Sequence, residues 1–168
     1  MEYIFRKATM AELDGIMEII EGAKRQMARE GKDQWDDTYP ARQHIEADIS
    51  SGNAYVMLGD GHLAAYGAVV FTGEPAYASI RGRWLTTGQP YVVLHRLAVA
   101  QSHAGQGVGR RFMQAVEQLS RSAGVHSFRV DTNHDNARMQ RLLATQGFTR
   151  CGDIYFQQGY RQAYEKTL

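Results

Sequence analysis

His103-Ala104-Gly105-Gln106-Gly107-Val108-Gly109-Arg110 joins a β-prone run, Tyr91 to Val99 (YVVLHRLAV), to a segment of helical periodicity marked by Val108, Phe112, Ala115, Val116, Leu119 and Ala123. Alternate glycines let a backbone turn tightly and come close to a ligand. The helix start beyond them offers N–H groups without intrahelical partners and the positive end of the helix dipole. Together these features make an anion cradle suited to a pyrophosphate. Arg110 and Arg111 add charge at the same end. A pair of cations on a helix start points to a small anionic ligand more than to a polymer. A plain tight turn is the simpler alternative, and three glycines in five residues at a strand-to-helix junction weigh against it.

The loop alone does not name its ligand. A Walker P-loop requires Lys-Ser/Thr after its last glycine, and here Arg110 and Arg111 follow Gly109. A dinucleotide fold wants G-x-G-x-x-G and an acid on the next strand. Asp131 is such an acid, but counting from Gly107 the third glycine position holds Phe112. A dinucleotide-binding protein is therefore the weaker competitor.

Working outward, residues 2–7 alternate as a first strand, and Thr9 with Glu12 forms a capping-box pair ahead of a helix. Leu13, Ile16, Ile19, Ile20, Ala23 and Met27 recur at helical spacing. Residues 31–40 form a polar loop carrying Trp35 and Tyr39, and a short helix fits 41–51. Asn53 to Leu58 and residues 62–71 form an antiparallel hairpin about Gly59-Asp60-Gly61. Residues 73–89, punctuated by Gly73, Pro75, Gly82 and Gly88, read as a loop. Beyond the glycine loop come a strand at Ser127 to Thr132, a helix at 135–146 closed by Gly147, and strands at Phe148 to Phe156 and 161–168. The order β-α-α-β-β-β-α-β-α-β-β implies an α/β (α+β) protein. Its central sheet is mixed and mostly antiparallel, with about seven strands and helices on both faces.

Composition narrows the function classes. The chain of 168 residues suits a single domain, 1–168, with a sizeable core. At 43% apolar, 22% charged and a mean hydropathy of −0.44, it belongs with soluble globular proteins. No apolar run approaches the length of a membrane helix, and Met1 to Thr9 lacks a secretory apolar core. A net charge of +1 gives no electrostatic reason to expect nucleic acid. A lone cysteine, Cys151, excludes an intramolecular disulfide framework, so a cytoplasmic protein is expected. The histidines show no metal-ligand spacing, so no metal is expected.

The stretch Leu97-Ala98-Val99-x(5)-Gly105-x-Gly107-Val108-Gly109, with the later Asn136-x(10)-Gly147-Phe148, resembles the acetyl-CoA signature of the GCN5-related N-acetyltransferases (GNAT). The resemblance spans the whole chain in element order and is most specific from His95 to Tyr155. Asp131 to Tyr155 is similar to a stretch found in a branch of uncharacterised bacterial members. The resemblance implies a GNAT-like acyl-CoA N-acyltransferase fold, acetyl-CoA as co-substrate and direct attack by the primary amine of a small molecule. It implies that the N–H groups of Gly105, Gln106, Gly107, Val108, Gly109 and Arg110 hold the pyrophosphate. The backbone of Leu97, Ala98 and Val99 would pair with the pantetheine arm, and Asn136 and Met139 would lie against that arm. The signature's first position, Gln or Arg in the family, is Ala104 here.

Many relatives carry a tyrosine four residues before the Gly-Phe pair, as the acid that protonates the leaving thiolate. Leu143 occupies that position. A thiol's pKa near 8.5 makes thiolate a fair leaving group without help, and Tyr155 is the candidate substitute. The amine also needs a base, because an ammonium has no lone pair. His95 lies four residues before Val99 and suits the task chemically. Its position resembles one of two active-site histidines in a family member, the other falling on Val93. Asn133 or Asp135 is the expected N-cap of the last helix. Trp35 and Tyr39, flanking Asp36 and Asp37, are candidates to receive a cationic amine; Trp35 as a loop anchor is the equal alternative. A non-catalytic acyl-CoA-binding module remains open beside the enzyme. Oligomeric state is not readable from the sequence; homodimers are common in the family.

Overall fold

Leu13, Ile16, Ile19 and Ile20 are buried along one side of α1 (Leu13–Arg29), as their spacing predicts. At roughly 1.5–3 kcal/mol for each fully buried side chain, this stripe outweighs any helix propensity in fixing α1. In the computed structural model, residues 1–32, 34–156 and 159–168 are described. Asp33, in the expected 31–40 loop, lies outside the described residues, as do Gln157 and Gln158 between the last two strands.

The other elements are β1 (Tyr3–Lys7), α2 (Arg42–Ser50), β2 (Ala54–Gly59), β3 (His62–Val70), β4 (Arg81–Gly82), β5 (Val92–Val99), α3 (Val108–Ser122), β6 (Ser127–Thr132), α4 (Ala137–Thr145), β7 (Thr149–Phe156) and β8 (Gly159–Thr167). The strands hydrogen-bond in the order β1-β2-β3-β5-β6-β8-β7-β4. The β5–β6 pairing is parallel, and β1–β2, β2–β3, β4–β7, β6–β8 and β7–β8 are antiparallel. This is the expected mixed, mostly antiparallel α+β architecture. Among the described residues, eight strands stand where about seven were expected. The addition, β4, falls in the segment read as a loop, which also holds a 3-10 turn at Pro75–Ser79. Two residues are too short to show an alternating pattern. Gly82 and Gly152 allow this pairing, because a Cβ on either would overlap the facing backbone.

The chain forms two compact units, one of Met1–Val69 with Arg96–Ala115 and one of Val70–His95 with Val116–Leu168. In the first unit, Ala54 and Val56 of β2 and Tyr66 of β3 pack with α1, with Ile45 of α2 and with Trp35. Tyr55 points to the opposite face, as strand alternation requires, and stacks on Phe5, which meets Phe112 of α3 edge-on. Helices thus cover each face of this part of the sheet. Glu12 reaches back to the Thr9 N–H at 2.9 Å, the expected capping contact, but a 3-10 turn at Met10–Glu12 precedes α1.

In β5, Arg96 has φ +58°, a left-handed conformation that costs a non-glycine residue on the order of 1 kcal/mol or more. Its side chain holds the kink. The guanidinium is bidentate on Asp48 of α2, at 2.9 and 2.6 Å, and donates to the Tyr39 hydroxyl at 2.9 Å. Tyr66 donates its hydroxyl to the same Asp48 carboxylate. Burial and the neighbouring carboxylate raise the Tyr66 pKa. Removing one member of so well-enclosed a pair leaves the other charge uncompensated. Asp48→Ala is expected to cost about 3 kcal/mol or more, read as a lower urea midpoint at unchanged slope.

Candidate functional site

The glycine loop lies in the first unit. A 3-10 turn at Gln101–His103 leads into it, and His103 is buried with Nδ1 2.9 Å from the Ser102 hydroxyl. Gly105 and Gly107 have φ +76° and +74°, and a Cβ on either would meet no atom within 4 Å. The backbone therefore favours glycine for its conformation, and the space where a side chain would start is open. Gly107 ends the loop, its carbonyl accepting from Arg111 N–H at 3.1 Å. The first N–H groups of α3, from Val108 onward, have no partner within the helix. Gly105, Gln106 and Arg110 are exposed, Gly109 is half-buried, and Val108 is anchored in the core. The two arginines part company: Arg111 lies over the Tyr3 ring at 4.6 Å, and Arg110 faces solvent. Leu97 and Val99 are half-buried and Ala98 is buried. The registered ladder of β5 with β6 consists of Val92↔Phe128 and Val93↔Arg129.

In the same unit, Trp35 is buried among α1 and α2 residues, which is its loop-anchor reading. The Tyr39 hydroxyl accepts from Arg96, and its ring meets that of His44 edge-on. Asp36 accepts from Thr38 N–H (2.8 Å), Thr38 hydroxyl (2.6 Å) and Tyr39 N–H (3.0 Å). Those bonds, the Thr38 hydroxyl foremost, hold its carboxyl below the usual range. Asp36 is thus occupied by its own turn.

The second unit gathers ionisable groups on one sheet face. Cross-strand partners share a face, as do residues two apart on a strand. Val93↔Arg129, Arg129↔Glu165 and Asp131↔Ala163 therefore put Arg129, Asp131, Arg161 and Glu165 on one side, with Val93 and His95. The 74–91 segment covers that side. From it, Glu74 Oε1 comes within 3.3 Å of His95 Nε2, and the Tyr77 hydroxyl donates to Asp131 Oδ2 at 2.6 Å. Both side chains of the Glu74–His95 pair are about one-fifth exposed, at 19% and 20%. Burial pushes the Asp131 carboxyl above its usual range, against the opposing pull of His95 and of the Tyr77 bond. Burial, then the Asp131 charge, raises Tyr77 well above its ordinary value. Asp131, the acid weighed for a dinucleotide fold, is engaged by Tyr77.

Tyr155 is adjacent to Ile154, whose partner Arg161 is on the His95 face, so alternation turns Tyr155 to the opposite face. There it is 46% exposed, beneath the Arg81 guanidinium at 4.7 Å and beside Tyr160. The fold does not bring Tyr155 to His95. Leu143 is fully buried and Met139 half-buried. The cap of α4 is neither Asn133 nor Asp135: Asn136 accepts from Met139 N–H at 3.1 Å, while Asn133 Nδ2 donates to Asp135 at 2.7 Å. The mutual bond of the earlier pair leaves the capping position to the next residue. Sequence reasoning missed Glu74 and Tyr77, which sit in the presumed loop. The signal was Glu74-Pro75, an acid at the N-cap and proline at the first turn position. Among the described residues, no group of three His, Cys, Asp or Glu side chains forms a metal set. None of the described helices is long and apolar enough to cross a membrane.

Residues 15–148 match the model of the Acetyltransferase (GNAT) family. A GNAT-family acetyltransferase from Streptococcus agalactiae is 37% identical, covers 99% of this chain and 95% of its own, and superposes with a TM-score of 0.91. The fold recurs in a GNAT-family acetyltransferase from Listeria monocytogenes (21% identity, 100% and 96% covered, TM-score 0.79). It recurs too in yncA from Salmonella typhimurium, whose structure contains acetyl-CoA (18% identity, 100% and 95% covered, TM-score 0.69). The chain belongs to the GNAT family of acetyltransferases.

Because the folded-state pKa of Asp131 lies above its unfolded value, its ionisation opposes folding. Its stability contribution is most favourable below the unfolded value of about 3.9 and is lost as pH rises through the folded value. Asp131→Asn removes that loss and keeps an acceptor for Tyr77. Urea unfolding is expected to show the variant gaining on the parent chain as pH rises above about 4, the unfolded value.

Proposed function

We propose that this chain, acting as one domain over residues 1–168, moves the acetyl group of acetyl-CoA onto the primary amine of a small molecule. The observation that carries the reading is the open loop at Gly105 and Gly107, left-handed at both glycines, with no atom within 4 Å of where a side chain would start, leading directly into the N-terminus of α3. That cradle fits a pyrophosphate. Gly105 through Arg110 would hold it, with Arg110 the arginine left facing solvent. The short β5–β6 ladder supports Leu97 to Val99 as backbone partners of the pantetheine arm. With Asn136 spent on capping through its carbonyl, its amide nitrogen and the half-buried Met139 are what α4 offers that arm.

Bound acetyl-CoA supplies a thioester that accepts the amine nitrogen as a new C–N bond forms and the C–S bond breaks, the electron pair leaving with sulfur. His95 takes the proton from the ammonium, which frees the lone pair for attack, and later returns it to solvent. The second proton, lost from the nitrogen once the C–N bond has formed, passes through water to the departing thiolate, consistent with a thiol pKa near 8.5; Tyr155, on the other face, is left out of the proton route. Trp35 and Tyr39 serve the acceptor side by shaping the loop that carries them. A dinucleotide reading has no comparable support, since Asp131 is held by Tyr77.

Calorimetric titration with acetyl-CoA, CoA and NADH tests the cofactor. Acetyl-CoA is expected to bind and NADH not, and folded protein that binds neither CoA species would refute the reading. Gly107→Ala strains a left-handed backbone at φ +74° and so distorts the loop, and it is expected to weaken acetyl-CoA binding about tenfold, some 1.4 kcal/mol.

A further inference from the structure

His95 has two ring nitrogens, and the second unit treats them differently. Nε2 faces Glu74 Oε1 at 3.3 Å. Nδ1 has no hydrogen-bond partner among the described residues. Glu74 is itself fixed: its N–H donates to the Tyr91 hydroxyl at 3.3 Å, and its Oε2 accepts from Ala76 N–H at 3.3 Å. The next ionisable groups on that face, Asp131 and Tyr77, are paired with each other. Arg161 donates to the Tyr160 carbonyl, and its charge, like that of His95, acts on Asp131.

We infer that Glu74 is a positioning residue for His95: it holds the proton on Nε2, leaves Nδ1 bare to take the amine proton, and balances the imidazolium that results. The inference rests on the reading of His95 as base. A carboxylate on one imidazole nitrogen fixes both the tautomer and the ring orientation, and it stabilises the cation formed when the other nitrogen is protonated. No electron transfer is involved. One proton moves from the ammonium to Nδ1, while the Nε2 proton stays between ring and carboxylate. The separation, slightly long for a hydrogen bond, fits an unliganded site that tightens when substrate binds.

Glu74→Gln separates this role from a merely structural one. The amide oxygen can still accept from Ala76 N–H, so the turn survives while the charge is lost. Protein labelled with 15N-histidine, compared with His95→Gln to assign the signal, is expected to show the Nε2–H tautomer at alkaline pH, shifting toward a mixture in Glu74→Gln. In the same preparations kcat is expected to fall about 10- to 100-fold in Glu74→Gln, within the roughly 10²–10⁴-fold that a general base contributes. The KM for acetyl-CoA and its calorimetric affinity should stay within twofold. Glu74→Asp, whose shorter arm cannot span to Nε2, should lose turnover similarly with affinity intact. An Nδ1–H tautomer in the unmodified protein overturns the inference. So does unaltered kcat in Glu74→Gln when His95→Gln is inactive, an outcome that leaves the base reading standing. If His95→Gln keeps full turnover, the base reading fails and the role of Glu74 fails with it.

Discussion

An ion pair shut away from water, Arg129 with Glu165, sets where everything above it can lie. Glu165 has no exposed surface, and Arg129 Nε lies 3.3 Å from its carboxylate. The carboxylate also accepts from Leu85 N–H at 2.6 Å and Thr86 N–H at 3.3 Å, and from the Thr86 and Ser127 hydroxyls. Burial alone would raise its pKa; the Ser127 and Thr86 bonds and the Arg129 charge bring it below the ordinary value instead. The guanidinium is sandwiched between the Trp84 ring at 4.2 Å and the Tyr91 ring at 4.0 Å, and it donates to the Thr86 carbonyl at 2.7 Å. A buried charge pair is costly unless its bonding is complete. Here the carboxylate is satisfied by drawing the 84–91 segment down onto the sheet, while the guanidinium Nε makes no hydrogen bond and is held by charge and by the two rings.

Other contacts follow from that clamp. Tyr91, held against Arg129, receives the Glu74 N–H on its hydroxyl; Trp84 donates its indole N–H to the Tyr77 carbonyl at 3.0 Å. Glu74 and Tyr77 are thereby delivered to His95 and Asp131. A segment without long helices or strands is placed as firmly as an element because its polar groups end on a buried carboxylate and its rings on a buried cation. In the first unit, Arg96 on Asp48 plays a comparable part, fixing a left-handed residue within a strand.

Features that depend on neighbours in sequence were legible beforehand. The α1 stripe, the β2–β3 hairpin, the ends of β6 at Ser127 and Thr132 and the closing Gly147 each follow from local period or backbone freedom. The glycine loop was legible for the same reason. What escaped depends on side chains far apart in the chain. Asp48 and Arg96, Tyr77 and Asp131, and Leu85 and Glu165 meet across 48, 54 and 80 residues, and no local pattern announces them. On α3, Glu117 sat outside the apolar stripe yet is buried, because Lys166 reaches it at 2.6 Å. His95 could be named from its place on the strand; Glu74 could not, since only the clamp brings it within reach.

The glycine loop draws little of its attraction from side-chain charge. Arg111 is committed to the face of Tyr3, and Ala104 stands where relatives carry a polar or cationic side chain. What remains is the single solvent-facing guanidinium of Arg110 beside peptide dipoles, whose field dies away faster with distance than that of a full charge. A polyanion approaching this protein is not drawn in from beyond the Debye length of about 8 Å at physiological ionic strength. It must arrive by diffusion and be recognised on contact. A loop so built would steer an anion through one side-chain charge and hold it chiefly by the shape of its backbone.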